Sequence, residues 1–317
     1  MTGATTPFIA ILGPTASGKS ALACELAAQL SAELISCDSM QVYRGLDIGT
    51  AKPSLAERQR IPHHLIDLLD IHDPWDANRH AIAARRLLDA ARRAGRPVIL
   101  VGGTGLYAKT VIYDLPLEPS DKQLAAEIEA VWREHGAGRL LAEVAACSRP
   151  LADKVGENPR RLLRTVEIIR LTGAPPHWWQ KNLNPGLVAA PDWCQLILMP
   201  EPACHRQAIL ARTQEMLRAG WIEEARRLYA HGLDQTPTAR QALGYGVIRD
   251  YLDGRLTSVA ELTTRIDAQT WQYARRQKTW FRHQHPGARL VVAPPAAPDR
   301  QRLVMELVSS FRTSVRP

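Results

Sequence analysis

The sequence predicts an α/β chain built on a parallel sheet. Three observations lead there: short, wholly apolar runs, helical segments alternating with them, and a glycine-bounded turn directly after the first run. Phe8 to Leu12 is that first run, suited to a strand buried on both faces. The segment "ALACELAAQL" follows, rich in helix formers, with Leu22, Leu26 and Leu30 four residues apart. Glu33 to Ser39 reads as a second strand ending in polar residues, and "HHLIDLLD" as a candidate third. "ANRHAIAARRLLDAARRAG" predicts a helix stopped at Gly95, and "RPVILVGGTGLY" a buried strand that breaks at Gly102-Gly103.

From about Pro119 the pattern turns helical. "SDKQLAAEIEAVWREHG" predicts an Asp- or Ser-capped helix, and "GRLLAEVAAC" and "NPRRLLRTVEIIRLTG" two more. "GAPPHWWQKNLNPGLVAAP" reads as a long loop, in which core packing of Trp178-Trp179 is favoured over base stacking. Strand character returns at Trp193 to Pro200, so a helical insertion of roughly 70 residues interrupts the α/β core. The rest is mostly helical to Gln284, followed by "ARLVVAPP" as a possible edge strand.

Composition narrows the function classes. Apolar residues make up 45% and charged residues 23% of 317, ordinary for a globular protein. No apolar stretch reaches the length of a membrane span, and Phe8 to Leu12 has no basic leader, so neither membrane insertion nor a signal peptide is expected. The five cysteines form no C-x-x-C pair, which argues against a zinc site or disulfide framework and for reducing cytoplasm. Net charge is +8, carried by 33 Arg and 7 Lys. Residues 1–118 hold 12 basic and 12 acidic side chains, whereas residues 119–317 hold 28 against 20. A basic C-terminal part beside a neutral N-terminal part points to a large polyanion.

The turn after the first strand is Gly13-Pro14-Thr15-Ala16-Ser17-Gly18-Lys19-Ser20, which fits G-x-x-x-x-G-K-[ST]. Backbone N–H groups of such a loop converge on phosphate oxygens at a helix N-terminus, Lys19 adds a charge, and the Ser20 hydroxyl can reach Mg²⁺. The predicted architecture is therefore a P-loop NTPase-like three-layer core, residues 1–118 and 193–317, with a helical insertion over 119–192. The apolar strand Val98 to Val101 ends in Gly102-Gly103-Thr104 and lacks the carboxylate that phosphoryl-transfer enzymes place there. The best-placed carboxylate is Asp38, at the carboxyl end of the second strand, where open α/β sheets bind ligands. On position alone a turn or cap role is the favoured reading of Asp38.

The span "CDSMQVYRGLDIGTAKP" resembles the tRNA dimethylallyltransferases, the isopentenyltransferase family that modifies the adenosine 3′ of certain anticodons. The resemblance continues through "PHHLID", "VGGTGLY", "NPRRLLRTVEI", "RQALGY" and "RRQKTWFR", in family order from residue 10 to about 282. It implies Asp38 as catalytic base, Thr104 close to the reactive amine, and Arg212 as a diphosphate ligand beside Gly13 to Ser20. It further implies tRNA contacts at Asp38, Ser39, Met40, Gln41 and Thr104. Three later segments are implied as well: Arg160, Arg161, Leu162, Leu163 and Arg164; Arg240, Gln241, Ala242, Leu243, Gly244 and Tyr245; and Arg275, Arg276, Gln277, Lys278, Thr279, Trp280, Phe281 and Arg282. Asn158 stands where the family usually has Asp, Gly246 where Lys or Arg is usual, and Ala125 where some members have Arg. No Cys/His finger follows the C-terminal helices, which implies a bacterial-type member. Independently of the family, a helix over Thr270 to Arg282 would put Trp271, Arg275, Lys278 and Arg282 on one face, a stripe suited to a phosphate backbone and an unstacked base, although taken alone such a stripe reads first as a solvated charged face.

The implied reaction moves a dimethylallyl group from dimethylallyl diphosphate to N6 of adenosine in the anticodon stem-loop of tRNA. Mg²⁺ assists the leaving diphosphate, and a cytoplasmic monomer is expected. Three other readings stay open on sequence: prenylation of free AMP, a small-molecule P-loop kinase, and a non-catalytic RNA-binding protein.

Overall fold

The computed structural model describes residues 8–115, 118–177, 179, 193–294 and 296–314. Trp178 and most of the expected 173–191 loop lie outside the described residues. The chain divides into two compact units, Met1–Asp114 with Ala189–Pro317 and Leu115–Val188.

The first unit is a six-stranded sheet in the order β3-β2-β4-β1-β5-β6, parallel throughout. Its strands are β1 (Phe8–Leu12), β2 (Glu33–Cys37), β3 (His63–His64), β4 (Val98–Gly102), β5 (Trp193–Met199) and β6 (Arg289–Val292). All five residues of the central strand β1 are buried, as its continuous apolar run requires. On one face, Ile9 and Ile11 pack with Leu22 and Leu26 of α1 (Lys19–Leu30) and with Leu303, Val304 and Leu307 of α13 (Ala297–Ser314). On the other face, α3 (Ala77–Arg93) packs on α4 (Gly105–Ile112), and Arg85 ties them by donating to the Thr110 carbonyl at 2.7 Å.

The expected third strand is only two residues long. Leu65 and Asp67 sit at φ +62° and +55°, and two left-handed residues two apart end any strand. The freed segment is instead tied to the loop after β2 and the short helix that follows it: Asp67 accepts from Lys52 at 2.5 Å and from Arg58 at 2.6 Å. Burial pushes the Asp67 carboxyl up, but Lys52 and Arg58 outweigh it and hold it below its ordinary value. The expected edge strand forms as β6, paired among the described residues to β5.

Register places the site. Cys37 of β2 pairs with Gly102 of β4, and Gly102 pairs with Leu12 of β1. The next residues, Asp38, Gly103-Thr104 and Gly13, therefore leave one sheet edge side by side. Gly102 allows that approach: a Cβ there would lie 2.0 Å from the Cys37 carbonyl oxygen.

The C-terminal helices of this unit are α9 (Pro202–Arg218), α10 (Trp221–Ala230), α11 (Tyr245–Leu252) and the 26-residue α12 (Val259–Gln284). α12 packs on α9, α11 and α4.

The second unit is the helical insertion: α5 (Lys122–His135), α6 (Ala137–Cys147), α7 (Arg149–Val155) and α8 (Pro159–Thr172). It has its own core of Ile128, Leu140, Val144, Leu151, Leu162 and Val166, with Trp179 packed against it. Asp121 caps α5, accepting from Gln123 and Leu124 N–H groups, and Asn158 caps α8, accepting from Arg161 N–H at 3.2 Å. Asn caps as well as the Asp expected at that position, so this departure costs the helix nothing.

Candidate active site

The glycine-bounded loop runs from β1 into α1 with Gly18 as a left-handed N-cap and no side chain capping the helix. Its first N–H groups thus stay available to an anion. Ala16 is held at φ +57°, and the Ser17 hydroxyl is buried without a hydrogen-bond partner among the described residues. Lys19 folds back to donate to the Pro14 carbonyl at 3.1 Å. The Thr15 N–H, by contrast, already donates to Gln277 Oε1 at 2.9 Å, and the Thr15 carbonyl accepts from His205 Nε2 at 2.8 Å. Thr15 is therefore braced by protein, and the cradle is left to the residues that follow it.

Two cations and one carboxylate meet at this loop. Burial, then the nearby Arg212 guanidinium, lowers the Lys19 ammonium to about 8, while Asp38 opposes the shift. Burial likewise lowers the Arg212 guanidinium, again opposed by Asp38. Arg212 of α9 is half-buried and makes no ion pair or hydrogen bond among the described residues. A half-buried guanidinium left this way is poised for an anionic ligand.

Asp38 accepts from the Met40 N–H at 2.8 Å and the Gln41 N–H at 3.3 Å. Both bonds fall on Oδ1, and Oδ2 carries none among the described residues. The turn role and the base role open on sequence are thus compatible, one oxygen for each. Thr104 stands opposite: its Oγ1 accepts from the Ser39 N–H at 3.2 Å, and its backbone N–H donates to the Cys37 carbonyl. Burial and the nearby Asp38 push the phenol of Tyr273 of α12 well above its ordinary value and keep it neutral. Ser20 is exposed in the first turn of α1, and its hydroxyl has no partner among the described residues. It is free to serve as one oxygen ligand of Mg²⁺ beside a phosphate, which suits an ion that keeps most of its shell as water and substrate oxygen. The one His/Asp cluster with metal-ligand spacing among the described residues, Asp70, His72 and His231, is a different set.

The loop after β2 is held by a carboxylate that the sequence did not flag. Glu224 of α10 is buried and accepts from the N–H groups of Asp47, Ile48 and Gly49 at 2.8 to 3.1 Å and from the Tyr245 hydroxyl at 2.6 Å. Gln41 then bridges this loop to the sheet, donating to the Thr50 carbonyl at 3.1 Å and accepting from the Ser36 hydroxyl at 2.8 Å.

The remaining expected RNA-contact residues fall into two groups. Arg160 and Arg161 of α8, Arg240 and Gln241, and Arg275, Arg276, Thr279 and Arg282 of α12 are exposed. Leu162, Ala242, Tyr245, Gln277 and Phe281 are buried, and Leu163 packs on the helical core. Gly244 lies against Trp221, and Leu243 is half-buried. Arg164 is half-buried and bound at 2.5 Å to the buried Glu167. The stripe read from helical spacing is divided likewise. Arg275 and Arg282 are exposed, whereas Lys278 donates to the Pro200 carbonyl at 2.8 Å and Trp271 packs on His205 and beneath Arg206. Trp280 is half-buried against Gly105.

With this geometry in place, similarity to known proteins is decisive. The IPP transferase family model matches residues 41–284. The chain belongs to the IPP transferase family. A tRNA dimethylallyltransferase of Halorhodospira halophila is 41% identical over 290 residues, 90% of this chain and 93% of that protein. One of Deinococcus radiodurans is 38% identical over 305 residues, 95% and 97% of the two chains. The full-length tRNA isopentenylpyrophosphate transferase of Bacillus halodurans superposes with a TM-score of 0.69 at 33% identity, covering 98% of this chain and 97% of that one. A eukaryotic dimethylallyltransferase solved acting on tRNA gives a TM-score of 0.83 at 25% identity, covering 98% and 80%. No helix among the described residues is long and apolar enough to cross a membrane.

Proposed function

We propose that this IPP transferase family member moves the dimethylallyl group of dimethylallyl diphosphate to N6 of an adenosine 3′ of the anticodon in tRNA. The observation that carries the reading is the meeting of Lys19, Arg212 and Asp38 at a phosphate-type loop with no carboxylate after β4. Two half-buried cations suit a departing diphosphate; a single carboxylate with one free oxygen suits a proton acceptor.

N6 attacks C1 of the allyl group, the C1–O bond breaks, and the N6 proton passes to Asp38 Oδ2. The N6 lone pair is delocalised into the ring, so loss of the proton as the C–N bond forms is what Asp38 contributes. Thr104, its oxygen fixed by the Ser39 N–H, orients the amine. Diphosphate charge grows as C1–O breaks, and Lys19, Arg212 and the loop N–H groups after Thr15 stabilise it. The Ser20 hydroxyl would hold Mg²⁺, which when bound would supply countercharge for that leaving group. The target base has to leave its stack to reach Asp38, which favours a loop such as the anticodon loop. The exposed cations of α8 and α12 and the Arg240 segment are the proposed tRNA contacts.

Incubation with labelled dimethylallyl diphosphate and unmodified tRNA, followed by nucleoside mass spectrometry, tests this. The expected product is prenylated adenosine in tRNA and none from AMP alone. Transfer to free AMP, or ATP consumption without prenyl transfer, would overturn it.

A further inference from the structure

Gln277 sits on the buried face of α12, only 7% exposed, with both ends of its amide engaged. Its oxygen accepts from the Thr15 N–H of the phosphate loop at 2.9 Å, and its nitrogen donates to the Gly103 carbonyl at 2.8 Å. One partner is a donor and the other an acceptor, so the bridge needs a side chain offering one of each. A glutamine supplies both while neutral. A carboxylate has no proton to give Gly103, and a methionine has no donor and only a weak acceptor. The neighbouring backbone is shaped to this amide: a Cβ on Gly103 would lie 2.5 Å from Gln277 Nε2. On the far side, His205 of α9 holds the Thr15 carbonyl at 2.8 Å, so the loop is gripped at both polar atoms of one residue.

The two segments joined here are the two walls of the reaction. Thr15 belongs to the loop assigned to the leaving diphosphate, and Gly103 precedes Thr104, assigned to the amine. We propose that Gln277 is a positioning residue that sets the separation of these walls, and so the distance from amine to allylic carbon, without contacting tRNA itself. This rests on the functional reading above. A misplacement of about 1 Å between reacting groups can cost on the order of a hundredfold in rate.

The test compares Gln277→Glu and Gln277→Met with the unaltered protein from pH 6 to 8.5, measuring kcat, the KM for each substrate, and tRNA affinity by filter binding. A protonated carboxyl has the shape and the donor–acceptor pair of the amide, and burial raises its pKa. The titratable groups around the bridge are Lys19 of α1, His205 of α9, Tyr273 and Lys278 of α12, and Asp38 after β2. All are common to the variants and the parent, and Gln277→Met, which adds no charge, shows their own contribution to the pH profile. The expected result is that kcat of Gln277→Glu relative to the parent rises about tenfold or more as pH falls from 8.5 to 6. Gln277→Met stays down by about tenfold or more at every pH, and tRNA affinity stays within about twofold throughout. A pH-independent ratio for Gln277→Glu overturns the bridge, as does an unchanged kcat in Gln277→Met or a loss carried by tRNA affinity. If the Met variant does not fold, the Glu variant decides alone, because its two states are compared in one protein. An inactive parent protein would instead overturn the functional reading, and the role of the bridge with it.

Discussion

Asp38 gives Oδ1 to its own turn and keeps Oδ2 free, so its two roles can be separated by substitution. Asp38→Asn retains an oxygen for the Met40 and Gln41 N–H groups but cannot take a proton. Its kcat is expected to fall by about 10²- to 10⁴-fold with dimethylallyl diphosphate affinity nearly unchanged. Equal losses in kcat and in diphosphate affinity would show that Asp38 serves only the turn. Lys19 carries a second prediction. With its ammonium lowered to about 8 in the free protein, raising the pH above 8 neutralises it before ligand arrives. Diphosphate binding must then draw a proton from solvent, so affinity falls by up to about tenfold per pH unit above 8. Titration calorimetry across pH 7 to 9.5 reads this slope, and Lys19→Arg, charged throughout, flattens it.

At the scale of elements, the loop between β2 and α2 (Leu55–Arg60) depends on α10. Three consecutive N–H groups converge on Glu224, and Tyr245 supplies a fourth donor. Glu224→Gln turns one acceptor into a donor facing donors, and should destabilise the protein by about 3 kcal/mol, whereas Tyr245→Phe removes one bond and costs about 1 kcal/mol. Thermal denaturation of both variants checks the order. None of this was legible beforehand, because a Glu in an amphipathic helix reads as solvent-facing and a motif such as "RQALGY" says nothing about burial. What was legible follows from stronger physics. Continuous apolar runs gave β1, β4 and β5, and the end of β2 located Asp38 at the ligand edge of a parallel sheet. β3 was legible as a candidate strand, but its early end was not, because the break comes from left-handed Leu65 and Asp67 and not from glycine or proline. Gln277 was legible as a family position but not as a brace, since its partners lie 262 and 174 residues away.

Charge is distributed unevenly over the whole molecule, and not as the half-chain count suggests. Residues 115–188 carry 10 basic and 9 acidic side chains, close to balance, while residues 189–317 carry 18 against 12. The basic excess belongs to the C-terminal segment of the α/β unit, including the exposed Arg275, Arg276 and Arg282 of α12. These three make no ion pair among the described residues, so they can release counterions from a phosphate backbone without first breaking a bridge. Arg164 cannot, since it neutralises the buried Glu167, which also accepts from the Ser120 hydroxyl and the Asp121 N–H. Binding of unmodified tRNA measured from about 50 to 200 mM salt distinguishes the two kinds of arginine. Substituting Arg275, Arg276 and Arg282 together should reduce the slope of log affinity against log salt by about 2. Substituting Arg164 should leave that slope unchanged and lower the melting temperature, because it strands a buried carboxylate. If the triple variant keeps the parent slope, tRNA does not lie along the exposed face of α12, and the basic excess of the C-terminal segment serves another surface.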